Sequence, residues 1–297
     1  MAIFVTGATG YLGGAVLREL IGRGFAVTAH ARSARSVDAL SNSGAEPVIG
    51  DLYDAAWLGA QLAGVEGMVH AASPGDRTSA DLDKAVLDTA VTAFSGSDRP
   101  YIHTGGVWIH GGGAAITEDT APSPPPLVAW RPAVVERVRA AAKLGVRTCV
   151  IAPANLYGHG GGLVALIAAG PTTAGDEPAL VYPGHQQHFS NAHLDDIATL
   201  YRLAIESAPP GSYYVAANTD TPTMAQIAEA ASRARGLGGR IAPEPEQATR
   251  DRLGLLTDSL LLDQQIDSSH ARRELGWQPS GPDLLTEITD GSSGVRP

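Results

Sequence analysis

The segment best suited to chemistry is Thr6-Gly7-Ala-Thr9-Gly10-Tyr11-Leu12-Gly13, which follows a short apolar run and opens a helical stretch from Gly14 to Arg23. Three glycines at this spacing suit a dinucleotide diphosphate. Gly7 permits the tight turn out of a strand, Gly10 lets the backbone approach the phosphates, and Gly13 lets the helix pack close to the strand. The free N–H groups and partial positive charge of the helix N-terminus complete an anion site. A strand-to-helix turn with no ligand explains one such glycine, not three. A second segment, Thr28-Ala-His-Ala-Arg32-Ser33-Ala-Arg35, sits where a carboxylate would hold a ribose 2′-hydroxyl. It has no carboxylate. Arg32, Ser33 and Arg35 offer charge-assisted hydrogen bonds to a 2′-phosphate instead, so NADP(H) is expected over NAD(H). The competing explanation is solvated loop arginines.

Other candidates weigh less. His185 and His188 stand three apart and His193 follows. A metal would need three or four converging ligands, and Pro183-Gly184 makes this a loop, so no metal is expected and His188 is assigned a substrate contact. Asp195 and Asp196 open a helix, where capping explains them. Trp108 and Trp130 are assigned to a pocket wall, with core packing as the alternative. Cys149, the single cysteine, lies in Val146-Arg-Thr-Cys-Val-Ile151 and reads as a buried strand residue.

Strands and helices that would position these residues alternate through the first half. Strands are expected at Ile3–Val5, Ala26–Ala31, Pro47–Asp51, Gly67–Ala72, Tyr101–Thr104 and Arg147–Ala152. Helices are expected after Gly13 and at Ser36–Ser41, Asp54–Leu62, Ser79–Phe94 and Pro132–Leu144. This order implies βαβ units: an α/β, Rossmann-type, doubly wound parallel sheet with active residues at the carboxyl ends of its strands. Residues 1–157 form the expected dinucleotide-binding domain. Residues 158–297 form a smaller C-terminal substrate lobe, with segments returning to the sheet. In that half Gly158–Gly162 and Gly170–Gly184 read as irregular, Asp195–Ser207 and Met224–Arg235 as helices, Ser212–Ala216 as a strand, and Gly291–Pro297 as a frayed tail.

With 297 residues, 44% of them hydrophobic, the chain can bury a large core. Its formal net charge of −10 and lack of a Lys/Arg block argue against nucleic-acid and anionic-membrane partners. A lone cysteine, no signal-like N-terminus and no apolar run of about 18 residues lead to the expectation of a soluble cytoplasmic protein.

Seven motifs in order resemble the extended short-chain dehydrogenase/reductase superfamily, in its epimerase/dehydratase branch. They are Thr6–Gly13, Gly50-Asp51-Leu52, His70-Ala71-Ala72, His103-Thr104-Gly-Gly-Val-Trp108-Ile-His110-Gly111, Pro153-Ala-Asn155-Leu-Tyr157-Gly158, His193-Leu-Asp-Asp196 and Ala271–Pro279. The resemblance implies that Asp51 and Leu52 flank the adenine. It places Ala71 and Ala72 under the nicotinamide ribose, Thr104 on the catalytic strand, and Pro153 and Asn155 beside the nicotinamide. Gly7, Thr9, Gly10, Tyr11 and Leu12 form the cofactor loop. His70 takes a structural or ribose-adjacent role. The helices Ser79–Phe94 and Pro132–Leu144 resemble the pair that forms the superfamily's dimer interface, so a homodimer is expected.

The chain departs from the pattern at its centre. The superfamily uses a Tyr-x-x-x-Lys pair, with a nearby Ser/Thr to polarise the carbonyl. Here Trp130 takes the Tyr slot and Val134 the Lys slot, and no Tyr-x-x-x-Lys occurs anywhere. Three readings follow. Hydride transfer persists, with Thr104 polarising the carbonyl, Tyr157, His110 or His159 supplying the proton, and Arg131 replacing the lysine charge. Alternatively the fold runs a non-redox isomerisation, cyclisation or elimination, or it binds nucleotide without catalysis. The first is the reading adopted, with Thr104, Tyr157 and Arg131 as its catalytic set. No Lys or Arg occurs between Pro153 and Gln187, which argues against a second diphosphate. The expected substrate is a small, mostly apolar carbonyl or imine.

Overall fold

A computed structural model describes residues 1–184 and 186–290; His185 and the tail 291–297, expected above to fray, lie outside the described residues. Five strands alternate with helices through the first half: β1 (Ala2–Thr6), β2 (Ala26–Ala31), β3 (Glu46–Ile49), β4 (Gly67–His70) and β5 (Pro100–Thr104). With strands Arg147–Pro153 and Ser212–Ala216 they form one seven-stranded sheet. Its order is Ser212–Ala216, Arg147–Pro153, β5, β4, β1, β2, β3. Every neighbouring pair is parallel. The order reverses between β1 and β4, and the crevice beyond such a reversal is where open α/β sheets bind ligands.

Both sheet faces are covered, which is why its central strands read as continuous apolar runs. Ile3, Phe4 and Val5 of β1 are fully buried, as are Met68 and Val69 of β4. Helix α1 (Tyr11–Gly22) buries Val16, Leu17 and Leu20 and packs against helix Leu194–Ser207. Helices α2 (Ala34–Asn42) and α3 (Ala55–Ala63) are capped by the Ser33 hydroxyl and the Asp54 carboxylate. Helix α4 (Ser79–Phe94) packs against α3 and α5 (Arg131–Ala140).

A second core gathers Tyr157, Leu180, Tyr182, Met224, Ile227 and Leu284. Residues 192–217 and 271–277 belong to the main core instead, so the division into lobes does not fall at one point in the chain. Part of Gly170–Gly184 is regular: Leu180–Pro183 pairs in parallel with Ile241–Glu244. The cap of helix Leu194–Ser207 is not an aspartate. His193 Nδ1 accepts the Asp195 N–H, while Asp196 turns back to accept from the Ser280 and Gly281 amides.

Candidate active site

The glycine loop is built as a cradle. Gly7 has φ +72°, and a Cβ there would lie 2.5 Å from the Ala71 carbonyl oxygen. A Cβ on Gly13 would run into the Gly7 carbonyl. Gly10 is the helix N-cap and brings no side chain to the first turn of α1, whose N–H groups have no intrahelical partner. A diphosphate fits this donor set.

Two cavities flank the loop at the carboxyl end of the sheet. The first, about 410 Å³, is lined by Gly7, Thr9, Gly10, Arg32, Asp51, Leu52, Ala71 and Ala72. All of these were expected at a cofactor from the sequence. His30, Tyr53 and Ser73 also line it and were missed. His30 was legible in principle, since it stands near the end of β2, where such a cavity opens. Arg35 lies in the first turn of α2 and lines neither cavity.

The second cavity, about 350 Å³, brings Tyr11, Leu12, Thr104, Trp108, Arg131, Pro153 and Asn155 together. The Gly105-Gly106-Val107 backbone and Leu156 complete much of its wall. Thr104 ends β5, and its hydroxyl is doubly engaged. It donates to the His70 carbonyl at 2.7 Å, so its partner at 2.7 Å, the buried Tyr201 hydroxyl, donates to it. Burial pushes the Tyr201 pKa up, so Tyr201 keeps its proton at neutral pH. Arg131 enters from the first turn of α5. It stacks 4.5 Å from the Trp130 ring and donates to the Thr104 carbonyl at 3.3 Å. Burial lowers its pKa, opposed by the charge of Asp83. Trp130 itself packs on the main core and does not line the cavity, and Val134 is buried in that core.

The remaining sequence candidates point elsewhere. Tyr157 is 1% exposed and lies in the second core, its hydroxyl donating to the Pro282 carbonyl at 2.6 Å and accepting from Asn218. It does not reach the cavity and is removed from the catalytic set. His110 is held by the Thr120 carbonyl and the Tyr213 hydroxyl, and His159 pairs with Asp195 at 2.9 Å. His188 pairs with Asp263 at 2.8 Å, outside both cavities, so the assigned substrate contact is not made. His159, His193 and Asp195 do bring ligand-type atoms within 4.8 Å of one another. Ion pairs account for them, because His193 also faces Glu287 at 3.3 Å and spends its Nδ1 on the helix cap.

Beneath the crevice runs a buried network absent from the sequence reading. Thr6 Oγ1 accepts from the Ala71 and Ala72 amides and donates to His70 Nδ1 at 2.7 Å. His70 Nε2 and His103 Nε2 face the two Asp83 carboxylate oxygens at 3.1 and 3.4 Å. Tyr101 reaches His103 Nδ1 at 3.1 Å. Burial alone would raise the Asp83 pKa, but the bonds from His103 and His70 outweigh it and hold it below the ordinary carboxylate range. The network ties the ends of β1, β4 and β5 to α4. Its signal was present in the sequence, since Asp83 interrupts the apolar stripe Leu82, Val86, Leu87 and Ala90 of a helix.

Residues 7–96 match the NAD(P)H-binding family model. Over nearly its whole length the chain shares its fold with solved epimerases and dehydratases. It is 27% identical to an uncharacterized protein of Schizosaccharomyces pombe, over 97% of this chain and 98% of that protein. It is 25% identical to the 4-hydroxy-2-methyl-3-oxo-4-farnesyl-3,4-dihydroquinoline-1-oxide ketoreductase of Stigmatella aurantiaca, over 100% of this chain and 99% of the relative. Among solved structures it resembles the dTDP-glucose 4,6-dehydratase of Bacillus anthracis in complex with NAD, with TM-score 0.78 and 14% identity over 98% and 95% of the two chains. That likeness concerns the fold. No helix among the described residues is long and apolar enough to cross a membrane.

Proposed function

We propose that the protein is an NADPH-dependent reductase of a small, mostly apolar carbonyl or imine, with Thr104 and Arg131 acting where the superfamily uses Tyr-x-x-x-Lys. The observation that carries this reading is the second cavity: apolar walls, adjacent to the glycine cradle, with Thr104 and Arg131 side by side. The end-to-end similarity to a ketoreductase supports it. The nicotinamide would supply the hydride. Reduction of a carbonyl leaves charge on its oxygen, and donors fixed in a site sheltered from water stabilise such charge. The Arg131 guanidinium is a permanent donor there. The Thr104 hydroxyl joins it by turning its proton from the His70 carbonyl, while Tyr201 holds the Thr104 oxygen in place. Tyr201 is not the net acid, because a buried tyrosinate would be costly. The final proton therefore comes from water at the cavity mouth.

NADPH is favoured because the stretch that ends β2, Thr28 to Arg35, carries no carboxylate for a ribose 2′-hydroxyl, and its Arg32 lines the first cavity. A homodimer through α4 and α5 and a cytoplasmic setting belong to the same reading. A specific observation favours a second reading, a non-redox or catalytically silent nucleotide-binding protein: Thr104's single proton is already committed to His70. NADPH consumption in a panel of apolar ketones and imines tests the choice. Turnover that falls at least tenfold with Arg32→Glu for NADPH, but not for NADH, supports the reductase. Tight NADPH binding without consumption across the panel supports the alternative.

A further inference from the structure

Arg131 is the only charged side chain among those lining the second cavity. Among the described residues it has no carboxylate partner. Its polar bond is to one carbonyl oxygen at 3.3 Å, and its face rests on Trp130. Asp83 favours its charge through space, but the Asp83 oxygens are bonded to His70 and His103. A guanidinium has five N–H donors in a planar fork, so most of this one's capacity is unspent. Desolvating a cation without an anion is expensive, and stacking on an indole offsets only part of that cost. A fork left open toward an otherwise apolar chamber is what a bidentate carboxylate needs.

We infer that the substrate is an oxo acid: an apolar body with a carbonyl close to an ionised carboxylate. The carboxylate takes the outward N–H groups of Arg131, and the carbonyl oxygen lies toward Thr104, whose carbonyl Arg131 already grips. The inference rests on the proposed reductase reading and narrows its substrate class. The cofactor's phosphates have donors elsewhere, in the N–H groups of the first turn of α1, the Gly10 N–H being spent on the Gly7 carbonyl, and Arg131 does not line the cavity that holds Gly7 and Gly10.

Two unreactive probes of the same shape decide it: 3-phenylpropanoate and 3-phenylpropanamide, titrated calorimetrically into the full-length protein with and without saturating NADP⁺. The carboxylate should bind at least tenfold more tightly than the amide. Arg131→Gln should abolish that preference, and Arg131→Lys should retain part of it, since an ammonium keeps the charge and loses the fork. Equal affinity for the two probes, a preference that survives Arg131→Gln, or no binding of either at about 10 mM overturns the inference. So does an Arg131→Gln protein that loses NADP⁺ affinity and keeps the carboxylate preference, because the guanidinium then serves the cofactor. NADP⁺ binding by the unmodified protein is read in the same experiment. Its absence would sink the reductase reading, whereas the comparison without NADP⁺ would still decide the carboxylate.

Discussion

Replacing Asp83 should cost more stability than replacing any exposed charge of the chain. Asp83 is 3% exposed and receives two histidine N–H groups, from His70 at 3.1 Å and His103 at 3.4 Å. Asp83→Ala leaves both donors buried without an acceptor. A buried donor left unsatisfied costs about 1–3 kcal/mol, so the two together cost about 2–6 kcal/mol. At about 2 °C per kcal/mol for a chain of this size, the melting temperature should fall by about 4–12 °C. Asp83→Asn keeps the shape but offers one acceptor and one donor to two donors, so it should fall between Ala and the unmodified chain. The Asp83 pKa is depressed in the folded state, so its stabilisation is present above the unfolded carboxylate value near 3.9 and is lost as pH falls through the folded value. The consequence for function runs through Thr6. Without Asp83 the His70 ring that orients the Thr6 hydroxyl loses its own hold, the hydroxyl that accepts from the Ala71 and Ala72 amides is less fixed, and nucleotide affinity should weaken as well. Thermal and urea unfolding, each followed by circular dichroism at pH 7, measure the first effect. A shift below about 2 °C for Asp83→Ala would refute the claim that the network is tightly coupled to the fold.

Gly13→Ala should abolish nucleotide binding and cost about 1–3 kcal/mol, because its methyl would collide with the Gly7 carbonyl; nicotinamide fluorescence and urea unfolding read the two effects. Acidification should destabilise the fold from about pH 6.5 downward. Burial lowers the pKa of His30, His103 and His110, so the unfolded chain binds more protons there, and each contributes at most about 1.4 kcal/mol per pH unit; melting temperatures between pH 8 and 5 check the sign. Thr104→Val should lower turnover at least tenfold. Tyr157→Phe should leave turnover intact while costing about 1–2 kcal/mol for its lost bond to Pro282, and the two rates measured side by side distinguish the cavity from the second core.

Much of this was legible because it is local. Gly7, Gly10 and Gly13 announce a turn by their spacing, and the contacts that require Gly10 and Gly13 lie within seven positions, although Gly7 also answers to the Ala71 carbonyl. The strands Ile3–Val5 and Arg147–Ala152 carry their burial in unbroken apolar composition, and both fall within observed strands. What failed depended on distant partners. Tyr157 follows a lining residue, Leu156, yet its hydroxyl is spoken for by Pro282, 125 positions away, and by Asn218. His188 is claimed by Asp263, 75 positions on. No short-range pattern marks such pairings. Asp83 falls between these cases. An acid within a helix's apolar stripe signals a buried partner, but the two histidines that supply it come from separate strands.

The measurement that tests the central claim most directly is titration of the purified protein with NADPH and NADH, followed by nicotinamide fluorescence. Saturable binding of both, at least tenfold tighter for NADPH and lost in Gly13→Ala, is the expected result. No saturable binding of either nucleotide would contradict it, and the two cavities beside the glycine loop would then need another ligand.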